Sequence, residues 1–250
     1  MSRRPTPSRP ALSRPIRWEL SLKPDGGTRK LARLEGSDEL RFARAVARAA
    51  PHVRRALGEG SHANRVLDWD PEDGLILEPW RPARRRWIRH ASRLARDARW
   101  VAITDVRDCY PSITMAAVGA RLRTIGAPVA AVDEIGSWLR AFAGEGVDGL
   151  PIGPPASAVL ADAVLSMGDR AIGLTGVWHL RWVDDVAIFA PDRRTALRSL
   201  DALRKSLSVV GLELHDAKTK VFSDPRAVAA HLRSRPSSPG AFPRCDNRPR

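Results

Sequence analysis

Apolar residues first fall into a two-residue rhythm, in Ile16-Arg17-Trp18-Glu19-Leu20-Ser21-Leu22, the period of a half-buried strand. Lys23-Pro24-Asp25-Gly26-Gly27-Thr28 is turn chemistry and Arg29-Lys30-Leu31 leads back out, so a hairpin carrying Lys23, Arg29 and Lys30 is expected. A helical rhythm follows. Ser37 is the expected cap of a helix with Asp38 and Glu39 in its first turn, and Leu40, Ala43 and Ala47 on one face. Pro51 interrupts, Gly58 and Gly60 close a turn-rich piece, and Ser61–Arg65 is polar and loop-like, with Arg65 a candidate phosphate contact. Over residues 81–99, Trp87, Ala91, Leu94 and Ala98 recur at helical spacing while Arg81, Arg84, Arg85, Arg86, Arg89, Arg93, Arg96 and Arg99 fan over the rest.

From residue 100 the pattern reads as a complete unit. Trp100–Asp105 is a buried-looking strand ending in a carboxylate. Helices are expected over Thr114–Ile125 and Pro128–Ala143, then from the Leu150–Ser157 loop to about Ile172. Two short strands rich in Val, Ile, Trp and Phe meet at Asp184-Asp185; an amphipathic helix spans Asp192–Val210; Leu212–Leu214 and Lys220–Phe222 read as strand. This order, β-α-β-β-α-β, predicts an α+β fold with a ferredoxin-like antiparallel sheet and helices on one face. In that plan the first strand lies beside the hairpin, so Asp105 is expected next to Asp184 and Asp185. The ends, residues 1–15 and 225–250, carry Pro, Ser and Arg without periodicity and are expected to be disordered.

Charge adds a partner class. Lys and Arg total 42 against 28 Asp and Glu, a net charge of +14, and most of the cations are arginines suited to bidentate phosphate contacts. A polyanion, nucleic acid first, is the expected partner. Eight arginines in one segment repel one another unless an anion neutralises them, which marks Arg84, Arg85 and Arg89, with Arg65, as nucleic-acid contacts. Two cysteines without a CxxC pattern imply no disulfide framework or zinc site, and no apolar run reaches membrane-spanning length. A soluble cytoplasmic protein with no membrane partner is the expectation.

Candidate chemistry sits where distant carboxylates meet, because two divalent ions need oxygen ligands from separate segments. Asp105-Val106-Arg107-Asp108-Cys109-Tyr110, Leu150-Pro151-Ile152-Gly153 with Ser157, Trp182-Val183-Asp184-Asp185, and Gly211-Leu212-Glu213-Leu214 followed by Lys218-Thr219-Lys220 occur in that order. Together they resemble the reverse transcriptase family, in its bacterial and group II intron-like branch. Lys23–Leu31 is similar to that family's fingers hairpin. Trp182 stands where the family carries Tyr, and Ile152 where many members carry a polar residue, often Gln.

The resemblance implies a right-handed polymerase, with a fingers-like part over 16–99, a palm over 100–224 and no helical thumb. It implies an RNA-directed DNA polymerase using two Mg²⁺ ions, with Mn²⁺ a possible substitute, on an RNA template, a primer and dNTPs. Asp105, Asp184 and Asp185 would be the catalytic carboxylates and, with the backbone of Val106, the metal ligands. Lys218 would protonate the departing pyrophosphate. Arg29, Lys30, Val106, Arg107, Asp108, Tyr110, Pro151, Ile152 and Gly153 would surround the nucleotide, and Trp182 would touch nucleic acid. Without a thumb, a partner protein, an oligomer or RNA structure would supply grip. Template-independent nucleotide addition, RNA-dependent RNA synthesis and a catalytically inactive nucleic-acid-binding protein stay open, as do roles in phage defence or in a retroelement.

Overall fold

Helix α7 (Pro155–Gly173) is the pillar of the molecule, and its sequence explains why. Pro155 in its first turn fixes a helical φ where no intrahelical N–H bond is lost. Ala, Val, Leu and Gly then recur on all sides, so nearly every residue from Ala156 to Ile172 is buried. The computed structural model of this chain describes residues 12–22, 26–70, 74–224, 227, 228 and 231.

The chain starts with an antiparallel hairpin, β1 (Arg17–Leu22) and β2 (Thr28–Arg33), with Trp18 opposite Ala32 and Leu20 opposite Lys30. Helix α1 (Gly36–Ala47) follows, and α2 (Ala50–Ala56) begins with Pro51 in its first turn. Ser37 does not cap α1. Asp38, fully buried, is bonded at 2.7 Å by both the backbone N–H and the hydroxyl of Ser13, so the first described residues are stapled to the helix. The inward face of α1 is Phe42, Ala43, Ala45 and Val46, with Phe42 edge-on to Phe142; Ala47 is half-buried. A hairpin over a stretch that the sequence left without an assignment, β3 (Val66–Asp70) with β4 (Gly74–Leu77), precedes α3 (Trp80–Asp97).

Residues 100–222 form a four-stranded sheet in the order β6-β7-β5-β8, every pair antiparallel. The strands are β5 (Trp100–Asp105), β6 (Trp178–Trp182), β7 (Asp185–Ala190) and β8 (Lys220–Phe222). Between them come the single turn α4 (Cys109–Ser112), α5 (Met115–Thr124), α6 (Val129–Gly144), α7 and α8 (Arg193–Ser208). Alternation along the strands decides the layers. Ala102, Val186, Ile188 and Ala190 face the core built with α5, α6, α7 and α8. Val101, Ile103, Leu180, Ala187 and Phe189 face the other way, onto Trp87, Ala91 and Ala95 of α3.

Helices on one face only is therefore corrected: the sheet's own connections cover one face and α3 covers the other. The reason is in its sequence. Ala83, Trp87, Ala91 and Ala95 form a seam of small residues around one large ring, which fits a flat sheet surface closely. The expected tail falls mostly outside the described residues, as do residues 1–11 of the expected leader, whose residues 12–15 are described, with Ser13 bonded to Asp38. Of the tail, Val228 is buried in the α3 layer, which corrects a disordered segment beginning at 225. Lys23 also lies outside the described residues.

A carboxylate cluster on neighbouring strands

Asp105 ends β5 and Asp185 begins β7, and the register places them directly opposite each other. Between β6 and β7 only Val183 and Asp184 form the turn, with Val183 at φ 56°, a left-handed backbone that β-branched residues rarely adopt. The turn is tied to β5 by the Val106 N–H, which donates to the Asp184 carbonyl at 3.2 Å. Past the strand the chain keeps an edge: Arg107 N–H donates to the Glu213 carbonyl and His215 N–H to the Asp105 carbonyl, both at 2.8 Å. Three carboxylates therefore share one end of the sheet, with the 213–218 segment beside them.

Their electrostatics follow from crowding. Burial first, then the charges of Asp185 and Asp105, push the Asp184 carboxyl well above the ordinary carboxylate range, with Lys218 pulling the other way. The Lys218 ammonium donates to Asp105 Oδ2 at 2.7 Å. Its burial opposes the charge, but the bond to Asp105 and the charges of Asp105, Asp184 and Asp185 outweigh it and raise its pKa. Asp105 Oδ1 is buried and accepts no hydrogen bond from the protein. Among the described residues, no three His, Cys, Asp or Glu side chains stand close enough to hold an ion as placed. The donor set nonetheless suits a hard divalent cation: carboxylate oxygens only, one of them buried without a partner, and mutual repulsion that a cation relieves.

The remaining candidates divide. Asp108, at φ 40°, turns the chain sharply after β5, and Cys109–Ser112 follow as one helical turn. Half-buried Tyr110 packs against the main core, and its carbonyl accepts from Leu150 N–H at 2.9 Å. Burial raises its phenol pKa well above the usual value. The Pro151–Gly153 loop is fastened to β2 through Ala32 N–H donating to the Ile152 carbonyl at 2.7 Å, which links the strand carrying Arg29 and Lys30 to that loop. Arg107 is exposed, 3.7 Å from Glu213. Ser157 is wholly buried at the head of α7.

Three nucleic-acid candidates are not displayed as the sequence suggested. Arg84 is buried, its guanidinium 4.2 Å from the Trp87 ring centre and 5.2 Å from that of Trp182. A flat cation against two indoles gains ring contacts there, so it lies within the α3 layer and not on its outer side. Trp182 is half-buried against the same cluster, 6.3 Å from Trp87. Arg65 donates to the carbonyls of Ser61 at 2.9 Å and Glu59 at 3.5 Å, holding its own loop. Arg85 and Arg89 are exposed on α3.

Gly153 has a steric reason to be glycine. At φ +139° a Cβ would lie 2.4 Å from the Ala32 carbonyl oxygen, so Gly153→Ala must push the loop off β2. Loss of more than about 1 kcal/mol is expected, read as a lower urea midpoint at unchanged slope.

Sequence reasoning missed Arg181. Its fork is buried on β6, with Nε and Nη2 on Asp169 at 2.9 Å, Nη1 on Asp162 Oδ1 at 2.6 Å and on the Val183 carbonyl at 2.8 Å, and Nη2 on Ser61 Oγ at 3.1 Å. Burial raises the Asp162 carboxyl to about 6 against the pull of Arg181, whereas Arg181 and His179 outweigh burial at Asp169 and lower it. The available signal was an arginine inside a short strand between Leu180 and Trp182, with two aspartates seven residues apart on a helix rich in Ala, Val and Leu.

These motifs stand in order on a mixed helix–strand fold, and residues 65–236 match the family model for reverse transcriptase (RNA-dependent DNA polymerase). The chain belongs to the reverse transcriptase family. Among solved structures this chain is similar to apo telomerase from Candida tropicalis, truncated from the C-terminal domain. The TM-score is 0.50 at 12% identity, with 85% of this chain and 51% of that chain covered. It thus spans about half the length of that structure, and the likeness speaks for the fold. No curated protein matches this chain. Its family is one of nucleotidyl-transferring polymerases that use divalent metals. No helix among the described residues is long and apolar enough to cross a membrane.

His62, outside the acidic cluster, makes a pH-dependent contribution to stability. Burial first, then the positive charges of Arg65, His90 and Arg86, lower its pKa to about 4, with Glu78 opposing. The ring stays neutral in the folded protein while the unfolded chain takes up a proton below about 6.5. Its contribution is therefore complete above pH 6.5 and is lost as pH falls toward 4. Between pH 7 and 5, wild type should lose about 2 kcal/mol more unfolding free energy than His62→Gln. Parallel urea titrations of the two proteins check this.

Proposed function

We propose that the protein is an RNA-directed DNA polymerase that adds deoxynucleotides to a primer 3′-hydroxyl. The observation carrying this reading is Asp105 standing in register with Asp185, with the Asp184 backbone bonded to Val106, so that three carboxylates, from two strands and the turn beside them, meet at one end of the sheet. In this reading residues 100–224 are the palm and residues 16–99 a fingers-like part. Asp105 and Asp184 are the principal ligands of two Mg²⁺ ions, or Mn²⁺ in their place, with Asp185 and the Val106 backbone supporting. When bound, such ions lower the pKa of an attacking hydroxyl and steady a phosphate leaving group.

The chain's own groups do the rest. Asp105 and Asp184 hold negative charge at a fixed place, and the main-chain ties of Val106 and Arg107 keep that place rigid against incoming phosphates. Lys218, already on Asp105 Oδ2, is a proton donor within reach of a leaving pyrophosphate. Arg29 and Lys30 on β2, and exposed Arg107, offer cations for the triphosphate. Asp108 turns the backbone there, and the Pro151–Gly153 loop with half-buried Tyr110 forms the wall beside the sugar. Arg85 and Arg89, on the exposed side of α3, and the surplus of positive charge support contact with a nucleic-acid backbone.

A primer-extension assay tests the reading. Purified protein with Mg²⁺ is given a primer on RNA, on DNA or with no template, and dNTPs or rNTPs. Extension by dNTPs on RNA is expected. Equal extension without template would replace the reading by untemplated addition, and no extension with any substrate would refute polymerase activity.

A further inference from the structure

The turn that carries Asp184 is strained, and something must hold it. Val183 sits at φ 56°, where a β-branched side chain crowds its own backbone. Its carbonyl is taken by Arg181 Nη1 at 2.8 Å. All five N–H groups of that guanidinium are used, and its other partners come from elsewhere in the chain: Asp162 and Asp169 on α7, and Ser61 ahead of β3. Its main chain is fixed as well. Arg181 N–H donates to the Gly60 carbonyl at 2.8 Å and the Arg181 carbonyl accepts from His62 N–H at 3.1 Å. Gly60 passes so close that a Cβ there would lie 2.4 Å from the His179 carbonyl oxygen.

A buried ion pair placed for stability alone needs one acid and no backbone acceptor. Here one cation bridges two acids, a hydroxyl and the carbonyl of the strained residue next to the acidic pair, a geometry a planar five-donor fork satisfies and an ammonium does not. From this we infer that Arg181 is a positioning residue: through the Val183 carbonyl it locks the turn that aims Asp184 and Asp185, using α7 and the Gly60–His62 loop as its anchor. The inference rests on the polymerase reading for its effect on turnover, but not for its effect on the turn.

The test uses the full chain and two substitutions. Arg181→Lys keeps a positive charge between Asp162 and Asp169 but cannot reach them, Ser61 and Val183 together. Asp162→Asn keeps an acceptor for Nη1 and leaves the Val183 bond in place. Hydrogen exchange followed by mass spectrometry is read over residues 182–187 and, for comparison, over 100–105. Manganese binding is read by the loss of free-ion spin resonance signal, and steady-state primer extension gives kcat and KM for dNTP.

Arg181→Lys is expected to raise exchange over 182–187 at least tenfold while 100–105 changes less than twofold, and to weaken manganese binding. Turnover should fall about 10²-fold with KM for dNTP within threefold, the scale of an ångström-sized misplacement of reacting groups. Asp162→Asn, which keeps the Val183 bond, should raise exchange over 182–187 and slow turnover several-fold less than Arg181→Lys does. The inference is overturned if Arg181→Lys leaves exchange over 182–187 unchanged, or if Asp162→Asn reproduces its effects, since charge balance and not the carbonyl clamp would then be responsible. A wild type that extends no primer refutes the polymerase reading, and the exchange comparison still decides the clamp. Should Arg181→Lys not fold, Asp162→Leu/Asp169→Leu/Arg181→Met removes the clamp without leaving buried charge, and the same loosening confined to 182–187 is required of it.

Discussion

Replacing Asp184 and Asp185 together by Asn is expected to lower nucleotide incorporation by roughly 10³-fold or more, the scale of losing preorganised charge in a closed site. Asn keeps the shape and one acceptor oxygen per side chain but removes the negative charge that draws a divalent ion. The sheet should survive, because Asp185 pairs with Asp105 and Trp182 through its backbone and Asp184 meets Val106 through its carbonyl. Removing like charge from a crowded cluster also relieves the repulsion that raises the Asp184 pKa, so the variant should melt at or above the wild-type temperature. Affinity for a primer–template should hold or tighten, since two anions near a phosphate backbone are gone. Primer extension, thermal melting and a filter-binding titration at one fixed salt read the three effects. Wild-type incorporation by the double variant would remove the carboxylates from the mechanism.

The largest expected effect on stability is at Arg181. Arg181→Met leaves Asp162 and Asp169 buried without their cation, and stripping one partner from a buried ion network costs about 3–5 kcal/mol. For a chain of this size that lowers the melting temperature by roughly 10 °C, or leaves little folded protein if the starting margin is small. Asp162→Leu/Asp169→Leu/Arg181→Met should recover most of that loss, because apolar side chains of similar volume remove the desolvation problem altogether. Stability and alignment then separate: the triple variant is expected to melt near wild type yet extend primers poorly. A triple variant with both normal melting and normal turnover would make the network purely structural.

Much of this was legible because the signals were local. Trp100–Asp105, the Val183-Asp184 turn and the Ala-rich run of α7 each announce themselves by period and residue type within a few positions. Their order then fixes which strands are neighbours, and so brings Asp105 to Asp185. The Arg181 network was not legible. Period-based reading treats a charged residue as an outward-facing one, and nothing local says that Asp162, Asp169 and Arg181 cancel one another in the interior. Arg84 misled for the same reason: six of the seven other arginines in its segment are exposed, and only the placement of Trp87 against Trp182 shows that this one lies against two indoles. Ser37 matched a capping pattern, but α1 starts two residues earlier, at Gly36 after Glu35, and the Asp38 side chain is taken by Ser13.

The Gly60–His62 segment has one more consequence. β6 is an outer strand of the sheet, and an uncovered outer strand is a template on which another chain can add itself. By running parallel to β6 and taking both main-chain groups of Arg181, this loop occupies the template. Damage there would thus reveal itself first as self-association of copies through β6, before any melting of the sheet.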